Sequence, residues 1–301
     1  MGAVGLPARR HVGRAAAGAL AAVAVALAGC GSGAAPAQPA RGGGKSPVAS
    51  VQRTPAVLWA VGDGADGGAA GRAVAARIAA GRVDKLLYLG DVYPSGTADD
   101  FAGHYATTYG RLAAETAPTP GNHDWPNSAT GYDPYWQRAL GGRPPDWYAF
   151  TAGGWTLLSL NSEAPHERGS SQERWLRRQL RRPGTCRIAF WHRPRYSAGT
   201  VHGDQPDMAP LWDALRGHAA IVLAGHEHDM QRFKPIDGIT EFVSGAGGDG
   251  HYSLKRTGRL AFGNARDYGA LRLALRPGAA TYAFVTTGGR VLDSGTLRCR
   301  R

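Results

Sequence analysis

The residues able to do chemistry in this chain of 301 residues gather where short apolar runs end. Ala56-Val57-Leu58-Trp59-Ala60-Val61 stops at Gly62-Asp63, and Lys85-Leu86-Leu87-Tyr88-Leu89 stops at Gly90-Asp91. Cys186–Trp191 runs into His192, and Ala219–Ala224 runs into Gly225-His226-Glu227-His228. A fifth segment, Ala117-Pro118-Thr119-Pro120, leads into Gly121-Asn122-His123-Asp124. Chance would scatter polar residues over both ends of such runs, so the asymmetry points to one site. Two metal ions at a typical spacing of about 3.5–4 Å need a bridging carboxylate and several further N and O ligands. Asp91 can supply the bridge, and the glycine before it allows a tight turn off the strand. His226 and His228 are two apart, so in extended backbone both imidazoles face one side. Asn122 offers a neutral carbonyl oxygen. His123 can face a substrate instead of the metal, and Asp124 can hold that imidazole in one tautomer and raise its pKa.

Each apolar run is short enough to be a buried strand. Further strands are expected at 156–160, 239–244, 269–275, 280–286 and 290–297. Helices are expected at 69–80, 98–114 and 208–216, and from Ser170 to about Leu180, where Glu173 completes a capping box. Alternating strands and helices imply a layered α/β fold. In such sheets ligands bind beyond the carboxyl ends of the strands, which is where the candidate residues stand.

These motifs resemble the calcineurin-like metallophosphoesterase superfamily and, within it, the purple acid phosphatases. The likeness covers about residues 56–265 and rests chiefly on Gly121-Asn122-His123-Asp124 and Gly225-His226-Glu227-His228. His192 matches the isolated metal histidine between them. The resemblance implies a layered α-β-β-α sandwich of two mixed β-sheets flanked by helices. It implies two divalent or trivalent metal ions, of iron, zinc or manganese. The first would take Asp63, Asp91, His228 and a tyrosine, and the second Asp91, Asn122, His192 and His226. A metal-bound hydroxide would attack a phosphate monoester in line, and His123, oriented by Asp124, would protonate the leaving oxygen. Two departures concern the first metal. Ala65 stands where the wider superfamily has a histidine, and Pro94 stands where purple acid phosphatases have their tyrosine, with Tyr93 one residue early. Tyr93 is the candidate for that ligand. A phosphodiesterase or nucleotidase on the same scaffold is the alternative activity. A surface protein that binds metal or phosphate without turnover is a third reading.

Other residues carry blander expectations. His202 reads as a surface-loop histidine, with substrate contact as the alternative; His104 and Tyr105 read as helix residues that pack or face solvent, and Trp125, Trp136 and Trp147 as core or rim packing, with the wall of a substrate cleft as the alternative. His251, in a glycine-rich loop, fits either reading.

The chain is basic, with a formal charge of +12, but its arginines are scattered. The one short cluster, Arg177, Arg178, Arg181 and Arg182, reads as a solvated helix face, so no specific nucleic-acid partner is expected. Arg9, Arg10 and Arg14 precede an apolar stretch from Ala15 to Ala28, which suits a signal peptide. It ends in Leu27-Ala28-Gly29-Cys30, which resembles the lipobox of bacterial lipoproteins; the alternative is an ordinary secretory signal. That resemblance implies residues 1–29 as a signal peptide and a lipid on Cys30 that anchors the protein to the outer face of the cell membrane. Residues 30–53 lack periodicity and read as a flexible tether, leaving 54–301 as the domain. Outside the cytoplasm cysteines tend to pair, so Cys186 and Cys299 are expected to form a disulfide tying the C-terminal strand to the sheet. Two separate buried thiols are the alternative.

Overall fold

The structure is a computed structural model that describes residues 54–184 and 186–299. The expected signal segment 1–29, the tether 30–53 and Cys30 lie outside the described residues.

Two mixed sheets form the centre. Strand β1 (Ala56–Val61) is buried almost throughout, as expected of a strand covered on both faces. It pairs in parallel with β2 (Lys85–Tyr88), and β2 pairs in parallel with β3 (Thr116–Pro118). On its other side three antiparallel strands, β11 (Gly269–Arg276), β12 (Ala279–Thr286) and β13 (Val291–Arg298), complete six strands in the order β13-β12-β11-β1-β2-β3. The second sheet has a parallel centre of β5 (Trp155–Ser159), β6 (Cys186–Phe190), β7 (Ile221–Ala224) and β9 (Thr240–Ser244). β4 (Tyr148–Ala152), β8 (Met230–Phe233) and β10 (Leu260–Asn264) join it antiparallel, giving the order β10-β8-β9-β7-β6-β5-β4.

The sheets pack face to face over Leu58, Leu87, Leu157, Ile188, Phe190, Leu223, Phe242 and Phe284. Each such side chain contributes about 1.5–3 kcal/mol by leaving water. The outer face of the first sheet buries Val57, Trp59 and Tyr88 against helix Ala69–Ala79 and the segments around Tyr105 and Trp136. The outer face of the second buries Leu158, Ala189 and Val222 against Leu176 and Leu180 of helix Ser171–Leu180 and Trp212 of helix Ala209–Leu215. The layers are therefore α-β-β-α, as the resemblance implied.

Three local differences from the sequence reading have physical causes. The expected helix 98–114 is a succession of short turns, with a π segment at Phe101–Tyr105 and a 3-10 segment at Gly110–Glu115. Gly103 and Gly110 weaken it, and the hydroxyls of Thr107 and Thr108 donate back to carbonyls a turn earlier. Helix Tyr132–Leu140 and strands β3, β4, β8 and β10 were not expected. The strands are three to five residues long; β4 and β10 alternate with exposed positions, β8 is half polar, and β3 is only three residues with a proline, so no apolar run marks them.

Cys186 and Cys299 are joined, with Cα atoms 5.6 Å apart. Cys186 opens β6, and Cys299 follows β13 in the other sheet. The bridge therefore ties the two sheets to each other, beyond the tie to one sheet that was expected.

Candidate functional site

The strands deliver their ligands through strained turns. Among the described residues only Asp63, Asp91, His226 and Asp237 are non-glycine residues with positive φ, and the first three, at 58°, 68° and 70°, follow strand ends. Such backbone costs on the order of 1 kcal/mol or more per residue and persists where the surroundings over-determine it. Here it turns each side chain off the line of its strand, two or three residues past the strand end. Asp63 N–H donates to Gly90 O at 3.0 Å, and His226 N–H donates to Asp63 Oδ2 at 2.8 Å, so the turns hold one another. Gly90 (φ 97°) must be glycine, because a Cβ there would stand 2.7 Å from His192 Nδ1.

All seven expected metal ligands converge. Around Asp91, its Oδ2 is 3.3 Å from His192 Nε2, which lies 3.0 Å from Asn122 Oδ1 and 3.1 Å from His226 Nδ1. On the other side, Tyr93 hydroxyl is 3.3 Å from both Asp63 Oδ1 and Asp91 Oδ2 and 2.8 Å from His228 Nε2. His228 Nε2 is 3.8 Å from Asp63 Oδ1. The offset of Tyr93 by one residue thus does not keep its phenol from the cluster. Ala65 serves through its backbone, where its carbonyl accepts from Tyr93 N–H at 2.9 Å.

A carbonyl oxygen can only accept, so three histidine tautomers follow from their partners. His192 Nδ1 donates to Leu89 O at 2.8 Å, His228 Nδ1 to Gly250 O at 2.7 Å and His123 Nδ1 to Pro94 O at 2.6 Å. Each leaves Nε2 free and aimed inward, the arrangement that suits imidazole as a metal ligand. The His226 ring has Nδ1 toward the cluster, while its buried Nε2 has no partner among the described residues.

The electrostatics of the cluster fit cations. Burial raises the Asp63 carboxyl well above the usual range, and the Asp91 charge adds to this against the pull of His192. Burial opposes ionisation of Asp91 too, but the His192 imidazole overcomes it and holds Asp91 low. His192 itself is pushed up to about 10 by Asp91, against burial. The donors are carboxylate, amide and phenol oxygens and imidazole nitrogens, with no thiolate, a set suited to manganese, iron or zinc. The residues present fit a pair of such ions.

Asp124 differs from its expected role. Its carboxylate accepts from the backbone N–H groups of Asp91 (2.8 Å), Gly121 (2.9 Å) and Val92 (2.9 Å), and it makes no hydrogen bond to His123. The 121–124 turn, closed by Asp124 N–H to Gly121 O, points adjacent side chains apart. Asp124 goes inward to fasten the Asp91 turn. His123 stays at the mouth, with Nε2 3.9 Å from Asp91 Oδ2, oriented by Pro94 O. Burial first, and then the Asp91 charge, push Asp124 up to about 7.

Several residues read as bland belong to the site. His202, exposed in its loop as expected, is also stacked on His226 with ring centroids 3.9 Å apart, so it lines the mouth. Tyr252, which no motif marks, stacks on His228 at 3.9 Å. His251 donates to His228 O at 2.9 Å and stacks on Tyr268. His104 donates to Tyr93 O at 2.5 Å. Tyr105 and Trp136 are buried in the core, and Trp125 and Trp147 are half-buried. The signal for His202 lies in Glu227: an acid between two ligand histidines must point away from them, toward whatever loop lies behind.

Comparison with known proteins agrees with this geometry. Over 97 residues the chain is 33% identical to purple acid phosphatase 21 of Arabidopsis thaliana, a match covering 30% of this chain and 22% of that protein. The fold is shared with GAP50, described as the anchor in the inner membrane complex of Plasmodium (TM-score 0.67, 17% identity, 83% of this chain and 90% of that one). It is also shared with purple acid phosphatase PPD1 of yellow lupin, Lupinus luteus (TM-score 0.65, 16% identity, 81% of this chain and 53% of that one). The chain thus spans about a fifth of the Arabidopsis protein and about half of the lupin enzyme. Residues 57–230, more than half of the chain, match the model of the calcineurin-like phosphoesterases, and the chain belongs to that family.

Proposed function

We propose that the protein is a metal-dependent phosphatase that hydrolyses phosphate monoesters outside the cytoplasm, anchored to the membrane through a lipid on Cys30. The observation that carries the activity is Asp91, placed between Tyr93, Asp63 and His228 on one side and Asn122, His192 and His226 on the other. Two cations bound there supply Lewis-acid polarisation of phosphoryl oxygens and acidify water. The chain's own residues do the rest. The backbone carbonyls of Leu89 and Gly250 orient His192 and His228, and Asp124 holds the Asp91 turn against the charge it must carry. His123, half-exposed at the mouth with its Nδ1 proton fixed on Pro94 O, turns Nε2 toward the leaving oxygen, to which the doubly protonated ring gives its Nε2 proton. The Cys186–Cys299 bridge supports an oxidising compartment, and Cys30 directly after an apolar segment supports the anchor.

The test is turnover of a chromogenic phosphomonoester and the matching diester by protein loaded with manganese, zinc or iron. Monoester turnover is expected to exceed diester turnover, and Asp91→Ala to lower it on the order of a thousandfold. No turnover with any metal, or an unimpaired Asp91→Ala variant, refutes the activity. A preference for the diester moves the reading to a phosphodiesterase, and tight phosphate binding without turnover moves it to a binding protein. Release of the protein from membranes only by detergent, and loss of that behaviour in Cys30→Ser, tests the anchor.

A further inference from the structure

We propose that Glu227 is a positioning residue, whose buried carboxylate fastens the loop 197–203 over the ligand cluster and holds His202 against the place a phosphoryl group occupies. The inference rests on the phosphatase reading and adds a residue to its machinery. The turn at His226 and the bend after it send His226 and His228 into the cluster and Glu227 to the opposite side, where it is fully buried. Its Oε1 accepts from Ser197 Oγ–H at 3.0 Å and from Gly203 N–H at 2.7 Å, so one oxygen ties both ends of the loop. Ser197 Oγ accepts in turn from Gly199 N–H at 2.8 Å. The loop lies directly on the carboxylate, since a Cβ at Gly199 would overlap it. The other oxygen, Oε2, is buried with no hydrogen-bond partner among the described residues, and it stands 3.9 Å from His202 Nδ1.

The consequence for His202 is geometric. Its ring is held between this carboxylate and the His226 ring, with Tyr252 edge-on at 5.4 Å. Oε2 faces the Nδ1 edge of the ring, which leaves Nε2 on the other side. A purely structural role would not require an acid. A buried carboxylate with few partners costs stability, and replacement by a neutral side chain of the same size is then neutral or favourable.

The experiment compares wild type, Glu227→Gln, His202→Ala and the double variant, all metal-loaded, with Ser197→Ala as the gentler variant should Glu227→Gln fail to fold. Calorimetry with inorganic phosphate and hydrogen exchange of the 199–203 amides are the two readouts. Glu227→Gln is expected to weaken phosphate binding about tenfold, and to have little further effect in the His202→Ala background, the mark of two residues acting as one. Exchange in the loop is expected to rise about tenfold, with metal content unchanged. Ser197→Ala should shift both readouts in the same direction. Unchanged phosphate affinity and exchange, or effects that simply add, overturn the proposal. Neither readout needs turnover, so an inactive wild type would sink the phosphatase reading and still leave the positioning role decided.

Discussion

Breaking the Cys186–Cys299 bridge should cost a large share of this protein's stability while leaving its metal site intact. The bridge closes a separation of 113 residues between the first residue of β6 and the residue after β13. Chain-entropy arguments put the stabilisation from a closed loop of that length at about 5 kcal/mol. Domains are typically stable by only about 5–15 kcal/mol, so Cys299→Ser removes a third or more of the total. For a domain of this size 1 kcal/mol moves the melting temperature by about 2–4 °C, so the midpoint should fall by ~10–20 °C. The site should not feel it. Cys186 opens β6 and His192 lies two residues beyond its other end, and a near-extended path of six residues spans roughly 20 Å. The assay is denaturant unfolding of the oxidised protein, the reduced protein and the Cys299→Ser variant, with metal content of each measured below its transition. A loss under about 1 kcal/mol would refute the argument, and would mean that sheet packing alone holds β13 in place. Loss of metal from the folded variant would refute the separation of the two ends.

Other perturbations test the site and its support. In Gly121→Ala the new Cβ would overlap the Asp91 carboxylate and stand 2.8 Å from its Cγ, so Asp91 must move. The variant is expected to fold but to lose at least one metal per chain by elemental analysis, and full occupancy would show that the Asp91 turn is softer than its contacts suggest. Glu241 is fully buried, and burial pushes its carboxyl up to about 8 against the Tyr196 and Arg195 N–H groups and the Arg195 charge. An unfolded glutamate titrates near ~4.3, so between that pH and about 8 the unfolded chain has released a proton that the folded one still holds. Stability should therefore fall as pH rises through this window, and Glu241→Gln should flatten the slope in unfolding free energies measured from pH 4 to 9. An unchanged slope would assign the pH dependence to other buried acids, such as Asp229.

Much of the fold was legible because its central strands are buried on both faces. β1 and β7 read as unbroken apolar runs and β6 as one interrupted only by Arg187, and the residues that end them stand out. The strands that were not legible lie toward the margins. β4 alternates half-buried and exposed residues over five positions, and β8 is Met-Gln-Arg-Phe. Neither carries enough apolar periodicity to be told from a loop. Helix Tyr132–Leu140 is nine residues long and begins after Gly131 with no side-chain cap, so it too lacked a clear start.

The sequence by itself determined which atoms can bind metal and where along the chain they stand. Residue chemistry is local, and so is the spacing that sets Glu227 between His226 and His228. What only the tertiary structure decided is how those atoms are held. His192 meets the Leu89 carbonyl 103 residues away, and His226 N–H meets Asp63 across 163. Tyr93 reaches the cluster despite its offset, Asp124 turns to the Asp91 backbone instead of to His123, and His202 closes over His226. Each of these depends on how two sheets pack and how loops from both converge. Such contacts join residues far apart in the chain, where neither composition, periodicity nor spacing carries information.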